Sequence, residues 1–205
     1  MSKVEFFFDL SSPWTRLAFH NIQPIVEAAG AEIVWRPFLV GGVFNAVNQS
    51  VYASRDDPDN PRTRQSPTWL QEWARLAGVP MAFPSEHHPL RAVLPMRVCC
   101  CLEDDQPVLF NFASAAFHAY FAEQKNLDDP AVLTGVADAC GLDGAKLVQQ
   151  AGEQATKDRL RSNTDEAIER GAFGSPTIFV DTTRLYFGND QLPLVRQALS
   201  ESSPE

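Results

Sequence analysis

The 205-residue chain has four cysteines, three of them consecutive at positions 99–101 and the fourth at 140, and no two stand in C-x-x-C spacing. That absence excludes a dithiol redox pair or a zinc knuckle recognisable by spacing. Neighbouring residues on a helix point about 100° apart, so Cys99, Cys100 and Cys101 suit burial beside Val98 and Leu102 better than chelation. Basic excess is missing too. The formal charge of −9 leaves no footprint for nucleic acid or an anionic membrane, although single arginines can still grip a small anion. No apolar run reaches the length of a membrane span. The first residues lack the apolar core and small-residue cleavage site of a secretory signal. The expectation is a cytoplasmic protein that binds neither nucleic acid nor membrane. His20, His87, His88 and His118 show no metal-ligand spacing with acidic partners, so no metal site is expected and these side chains are assigned surface or packing roles.

What is present is an ordinary globular composition, 44% hydrophobic and 21% charged, in a chain long enough for one domain with a large insertion. Val4 to Phe8 is short, aromatic and bounded by Asp9 and two serines, which reads as a buried strand. From Trp14 onward Leu17, Ala18, Ile22, Ile25 and Val26 recur at helical spacing until Gly30. "AEIVWRPF" (31–38) reads as a second strand, so the first forty residues form a βαβ unit with a right-handed crossover. Residues 41–67, with two glycines and the turn formers of "RDDPDNPRTRQSP", read as a long loop, either functional or simply solvated. Helical patterns then fill the middle: "PTWLQEWARLAG", "PLRAVLPMRVCCCLE" with Pro95 kinking or offsetting it, "FASAAFHAYFAEQ", "PAVLTGVADACG", and one segment from Gly144 to Gly171. "PTIFVD" (176–181) and "RLYF" (184–187) read as two strands joined by a short turn. A last helix follows from about Asp190.

The order βαβ, helical block, ββα is the thioredoxin plan interrupted by a helical domain. The expected division is residues 1–44 with 168–205 for the α/β part and 45–167 for the insertion. In this order, "FFFDLSSPWTRLAF", "RPFLVGGVFNAVN", "WARLAGVP", "FHAYFAEQKNLDDPAVL", "GAFGSPTIFVD" and "FGNDQL" resemble successive blocks of the 2-hydroxychromene-2-carboxylate isomerase family. That family is similar to the kappa-class glutathione transferases and, more distantly, to DsbA-like oxidoreductases. The resemblance spans nearly the whole chain.

In DsbA-like proteins the attacking cysteine precedes a proline at the first helix N-terminus. Here Ser12 precedes Pro13, and Thr15 falls where the second cysteine of the pair would be, so no internal dithiol cycle is available. A hydroxyl there lies among unsatisfied N–H groups at the positive end of the helix dipole, where a thiolate brought by a ligand is stabilised. Ser is equally a preferred N-cap and Pro a common helix opener, and the two roles are compatible. The resemblance implies that Ser175–Pro176 in "GSPT" is a cis bond, leaving the Ser175 backbone free to pair with an extended peptide. It also implies that Asn189 and Asp190 hold the γ-glutamyl end of glutathione. An acidic side chain and helix N–H groups suit a zwitterionic end, with capping as the alternative role. Trp14, Asn48 and Arg62 complete the cofactor site that the resemblance implies. Two departures stand out: Gln191 where the family often has Arg, and Arg62 where it often has Lys. Trp14, Phe38, Phe44 and Trp69 could line an aromatic pocket or pack in the core.

The function implied is a glutathione-dependent isomerase of an aromatic or conjugated carboxylate, with Ser12 as the catalytic residue and glutathione as cofactor. A kappa-like glutathione transferase or peroxidase is the near alternative, and a non-catalytic thioredoxin-fold binding protein the distant one. The family further implies a homodimer, and the 45–67 segment is expected to shape substrate access.

Overall fold

All but the first residue of β1 (Lys3–Phe8) is buried, because this aromatic run is the inner strand of a four-stranded sheet and has protein on both faces. The computed structural model describes residues 2–57 and 59–201, the side chains of residues 54–56 and 62 excepted. The sheet order is β2-β1-β3-β4, with β2 at Glu32–Pro37, β3 at Thr177–Val180 and β4 at Arg184–Phe187. β1 pairs parallel to β2, with Phe6 opposite Trp35, and antiparallel to β3, with Phe6 opposite Ile178. β3 and β4 form an antiparallel hairpin. This is the DsbA-like thioredoxin arrangement expected from the order of elements.

Alternation along β1 sends Phe6 and Phe8 to one face and Phe7 to the other. On the first face Phe6 meets Phe19 of α1 (Pro13–Asn21), and Phe19 stacks on Phe110 of α7 (Gln106–Phe121) with centroids 5.3 Å apart. α6 (Val93–Cys101), α8 (Pro130–Ala139) and α9 (Gly144–Gln150) extend the same apolar cluster. On the second face Phe7 packs with Phe38, Val43 and Phe179 under α3 (Val40–Val47) and α10 (Gln154–Glu169). α11 (Leu192–Glu201) closes the chain after a short 3-10 turn at Asn189–Gln191. No helix among the described residues is long and apolar enough to cross a membrane.

Several sequence expectations need correcting. Residues 41–67 are not a loop. α3, α4 (Ser50–Asp56) and α5 (Pro61–Ala77) occupy most of them, and α5 takes in Pro61, Ser66 and Pro67 of the turn-former run. The glycine pair hides α3 from periodicity, and its first amide, on Val40, is held by Asp9 from a distant part of the chain. The expected boundary at 44/45 therefore falls within α3, and that at 167/168 within α10. The helix expected from Trp14 to Gly30 is broken into α1 and α2 (Gln23–Ala29). Pro24 lacks the N–H that would continue the ladder to the His20 carbonyl, and beside this break the Gln23 side-chain amide donates to the Phe19 carbonyl at 2.9 Å. The 144–171 segment is likewise two helices, parted at residues 151–153. Pro95 lies in the first turn of α6, where its missing N–H has no intrahelical partner to lose, so it produces no kink.

The second face of the sheet carries a partly buried ionic cluster around the buried Glu5. Glu5 on β1 accepts from Arg170 at 2.7 Å and lies 4.0 Å from Arg36, and Glu166 bridges the two arginines. Arg170 also sits 3.8 Å over the Phe179 ring. Burial pushes the Glu5 carboxyl up. The hydrogen bond and charge of Arg170, with Lys3 and Arg36, outweigh it and hold the group below the ordinary glutamate value. A depressed carboxyl contributes stability above its unfolded pKa and loses it as pH falls through the folded one. Glu5→Gln is therefore expected to cost about 3 kcal/mol at neutral pH by leaving Arg170 underpaired. In urea titrations at a series of pH values, this gap should shrink as pH falls through the carboxylate range. A gap independent of pH would remove the ionic explanation.

Candidate active site

Ser12 adopts an extended backbone (φ −95°, ψ 118°) and caps α1, its Oγ accepting the Thr15 amide at 3.2 Å. Its proton goes to the carbonyl of Ser175 at 3.3 Å, long for a hydroxyl donor. The expectation that the Ser175 backbone is free to pair is therefore corrected for its carbonyl, which takes the Ser12 proton. The Ser175–Pro176 bond is cis. Thr15, fully buried, meets the Ser175 hydroxyl at 2.8 Å, and that hydroxyl also accepts the Asp9 amide at 3.1 Å. The position that would carry a second sulfur thus joins α1 to the start of β3. Gly174 is required by close approach, since a Cβ there would lie 2.5 Å from the Phe187 ring.

Beyond Pro176 the chain turns back at Gly188, whose amide reaches the Pro176 carbonyl at 3.3 Å. Gly188 has φ 96°, a region open to glycine. Asn189 follows, 3% exposed, its Oδ1 accepting from Asn21 at the end of α1 at 2.8 Å while its Nδ2 has no partner among the described residues. Asp190 is exposed and its carboxylate takes a 3.3 Å contact from the Gln191 amide. Ser12 is thus bonded to Ser175, with Pro13 and Pro176 next to them in sequence, and the turn carrying Asn189 and Asp190 is tied to Pro176 through Gly188 and to the far end of α1 through Asn21. The other candidates have other partners. Asn48 donates to the Phe173 carbonyl at 2.9 Å and accepts from Ser50, pinning the end of α3 to the segment before Gly174. Trp14 packs against the Leu17, Leu70, Ala74 and Val79 cluster under α5. The Arg62 side chain lies outside the described residues, and its backbone is in the first turn of α5. Phe38 is core, Phe44 meets Tyr52 edge-on, and Trp69 is exposed, so these four rings do not gather into one pocket.

Sequence reasoning passed over Asp9. Its carboxyl is 1% exposed and takes three hydrogen bonds: the Ser11 amide at 2.8 Å, the Ser11 hydroxyl at 2.7 Å and the Val40 amide at 2.8 Å. Burial pushes it above the ordinary aspartate value, and these donors oppose that push. The thiols supply no nucleophile, and the Asp9 charge adds to burial in raising Cys99. Burial raises all four, Cys99 and Cys100 most strongly, and none is poised as a thiolate. Among the described residues no group of three His, Cys, Asp or Glu side chains is placed to hold a metal.

A family model described as the DSBA-like thioredoxin domain matches residues 3–200. The chain belongs to that family. Among curated members it is 26% identical over 202 residues to the 2-hydroxychromene-2-carboxylate isomerase of Sphingobium xenophagum, covering 96% of this chain and 97% of the relative. It is 25% identical to glutathione S-transferase kappa 2 of Caenorhabditis elegans, covering 97% and 92%. A solved 2-hydroxychromene-2-carboxylate isomerase superposes with a TM-score of 0.79 at 23% identity, over 97% of this chain and 95% of the other. The cytosolic disulfide reductase DsbM of Pseudomonas aeruginosa, solved with GSH, shares the fold at a TM-score of 0.64 and 14% identity, over 97% and 96%. In this DSBA-like domain both sulfur positions of a dithiol pair are hydroxyls, Ser12 and Thr15.

Asp9→Asn puts an amide NH2 against donors that need acceptors, so it is expected to lower stability by about 2 kcal/mol. Thermal and urea unfolding measure this. Stability equal to the wild type would show that the three hydrogen bonds do not hold the Ser12 loop.

Proposed function

We propose that the chain is a glutathione-dependent isomerase of the 2-hydroxychromene-2-carboxylate type, acting on an aromatic or conjugated carboxylate. One observation carries this reading: a hydroxyl at the N-terminus of α1 whose proton rests on a 3.3 Å bond to the Ser175 carbonyl, in a protein whose own four thiols are all pushed up toward the protonated form. Glutathione supplies the nucleophilic thiolate that the chain lacks, able to add to a conjugated system and leave again. Rotation of the Ser12 hydroxyl away from Ser175 turns its proton toward a sulfur at the helix tip, where the α1 dipole favours negative charge. The same rotation releases the Ser175 carbonyl to accept a peptide N–H. Asp190, in contact with a neutral amide, is available to an ammonium, and the N–H groups of the turn at Asn189 suit the adjacent carboxylate. These donors and acceptors match the central cysteine and the γ-glutamyl end of the tripeptide in charge and kind.

A kappa transferase relative is 25% identical beside 26% for an isomerase, which supports a second reading in which the same site consumes the thiol. Gln191, neutral where the related isomerases often carry Arg, supports the more distant reading of a binding protein. Titration calorimetry with glutathione addresses that last reading first: no heat up to about 10 mM would leave it standing alone. With a hydroxychromene carboxylate, isomerisation at constant total thiol is expected, whereas stoichiometric loss of thiol would replace isomerase by transferase. Ser12→Ala is expected to lower kcat/KM about a hundredfold, with only about 1 kcal/mol lost in stability as a missing cap. Unchanged turnover would remove Ser12 from the chemistry.

A further inference from the structure

Arg16 lies one turn beyond Ser12 on α1 and is 6% exposed. Its Nη1 donates to the Phe117 carbonyl and its guanidinium lies 5.9 Å from the Phe121 ring centroid. Among the described residues it has no carboxylate at ion-pair distance, unlike Arg36, Arg159 and Arg170, each of which has at least one. Burial without a counter-ion pulls its pKa down to about 10, which still leaves it charged at neutral pH. A buried arginine is ordinarily paired, because an uncompensated charge away from water is costly.

The arginine borders a cavity of about 230 Å³ between α1, the end of α5 and α7. His20, one further turn along α1, and His118 of α7 line it with Arg16, so the two histidines assigned to packing or surface roles share a cavity. Phe19, Phe110 and Phe117 supply apolar walls, and no acidic side chain lines it. Glu123, 3.7 Å from His118, is held by Lys125 at 2.8 Å. Neither Ser12, Ser175, Asn189 nor Asp190 takes part in the lining, and the helical rise puts the Arg16 and His20 backbones about 6 and 12 Å along α1 from Ser12.

We infer that this cavity is a second binding site, for a small aromatic carboxylate, with the Arg16 fork on the carboxylate and the phenylalanine walls on the ring. The volume is below that of drug-sized pockets and suits a single ring. A planar guanidinium matches a carboxylate bidentately, and the surrounding protein strengthens the contact by excluding water. The inference is independent of the glutathione reading.

Benzoate and its uncharged isostere benzamide are the probes, followed by 15N NMR on the wild-type protein without glutathione. Benzoate is expected to give saturable shifts centred on the amides of residues 16–23 and 114–118, with benzamide at least about tenfold weaker. Arg16→Met, which keeps the stem on Phe121, should abolish the preference for benzoate, and Ser12→Ala should bind benzoate as the wild type does. Should Arg16→Met fail to fold, the benzoate-to-benzamide ratio and the shift map of the wild type decide by themselves. Equal binding of the two probes, no saturable shift up to about 20 mM, or shifts centred on Ser12 and Asn189 and lost in Ser12→Ala would each overturn the site.

Discussion

Asp9 stands at the end of the inner strand with its carboxyl out of water, and three donors converge on it. Two come from Ser11 and fold the loop that presents Ser12. The third is the first amide of α3, so one carboxyl sets both the Ser12 turn and the start of the helix that follows β2. Its own amide is held by the Ser175 hydroxyl, which also meets Thr15. Through these bonds the end of β1, the first turn of α1, the start of α3 and the residue before β3 share one hydrogen-bonded junction. Asp9, Thr15 and Ser175 are buried, where an unmade bond is expensive, so the junction holds as a unit. The position of Ser12 follows from it.

Charge is handled in two ways on the two faces of the sheet. Below Phe7, Glu5, Arg36, Glu166 and Arg170 compensate one another, and the arginines stack on Phe7 and Phe179. This is a structural arrangement: every charge has an opposite and the aromatic faces cover the stems. Above Phe6, beyond Phe19, Arg16 has a carbonyl and a ring but no carboxylate. The same residue type is thus closed on one side and open on the other. The difference is the presence of acidic residues on α10 and β1 and their absence from the walls of the Arg16 cavity.

Much of the fold is legible in local pattern. The aromatic run of β1, the Ser12–Pro13 opening of α1, the stop at Gly30 and the β3–β4 hairpin depend on neighbours in sequence, and periodicity with turn chemistry finds them. The helices between 40 and 67 escape that reading because Gly41, Gly42 and the Pro and Asp cluster carry poor helix propensity. Contacts made far away, such as Asp9 to Val40, override it. Pro24, by contrast, was a visible break obscured by the apolar periodicity on either side.

Ser12, Pro13, Ser175, Pro176, Asn189 and Asp190 are singled out in the sequence by the resemblance of their motifs to the isomerase family, beside the local cap and turn chemistry of the same residues. Tertiary structure decided the rest: that the Ser12 proton rests on Ser175, that Asn48 ties a loop, that Trp14 turns toward α5, and that Arg16, His20 and His118 border one cavity. A sequence prescribes residue types and local dihedral preferences. Which buried group finds a partner, and which is left facing space, depends on side chains a hundred or more residues apart, and only packing brings those together.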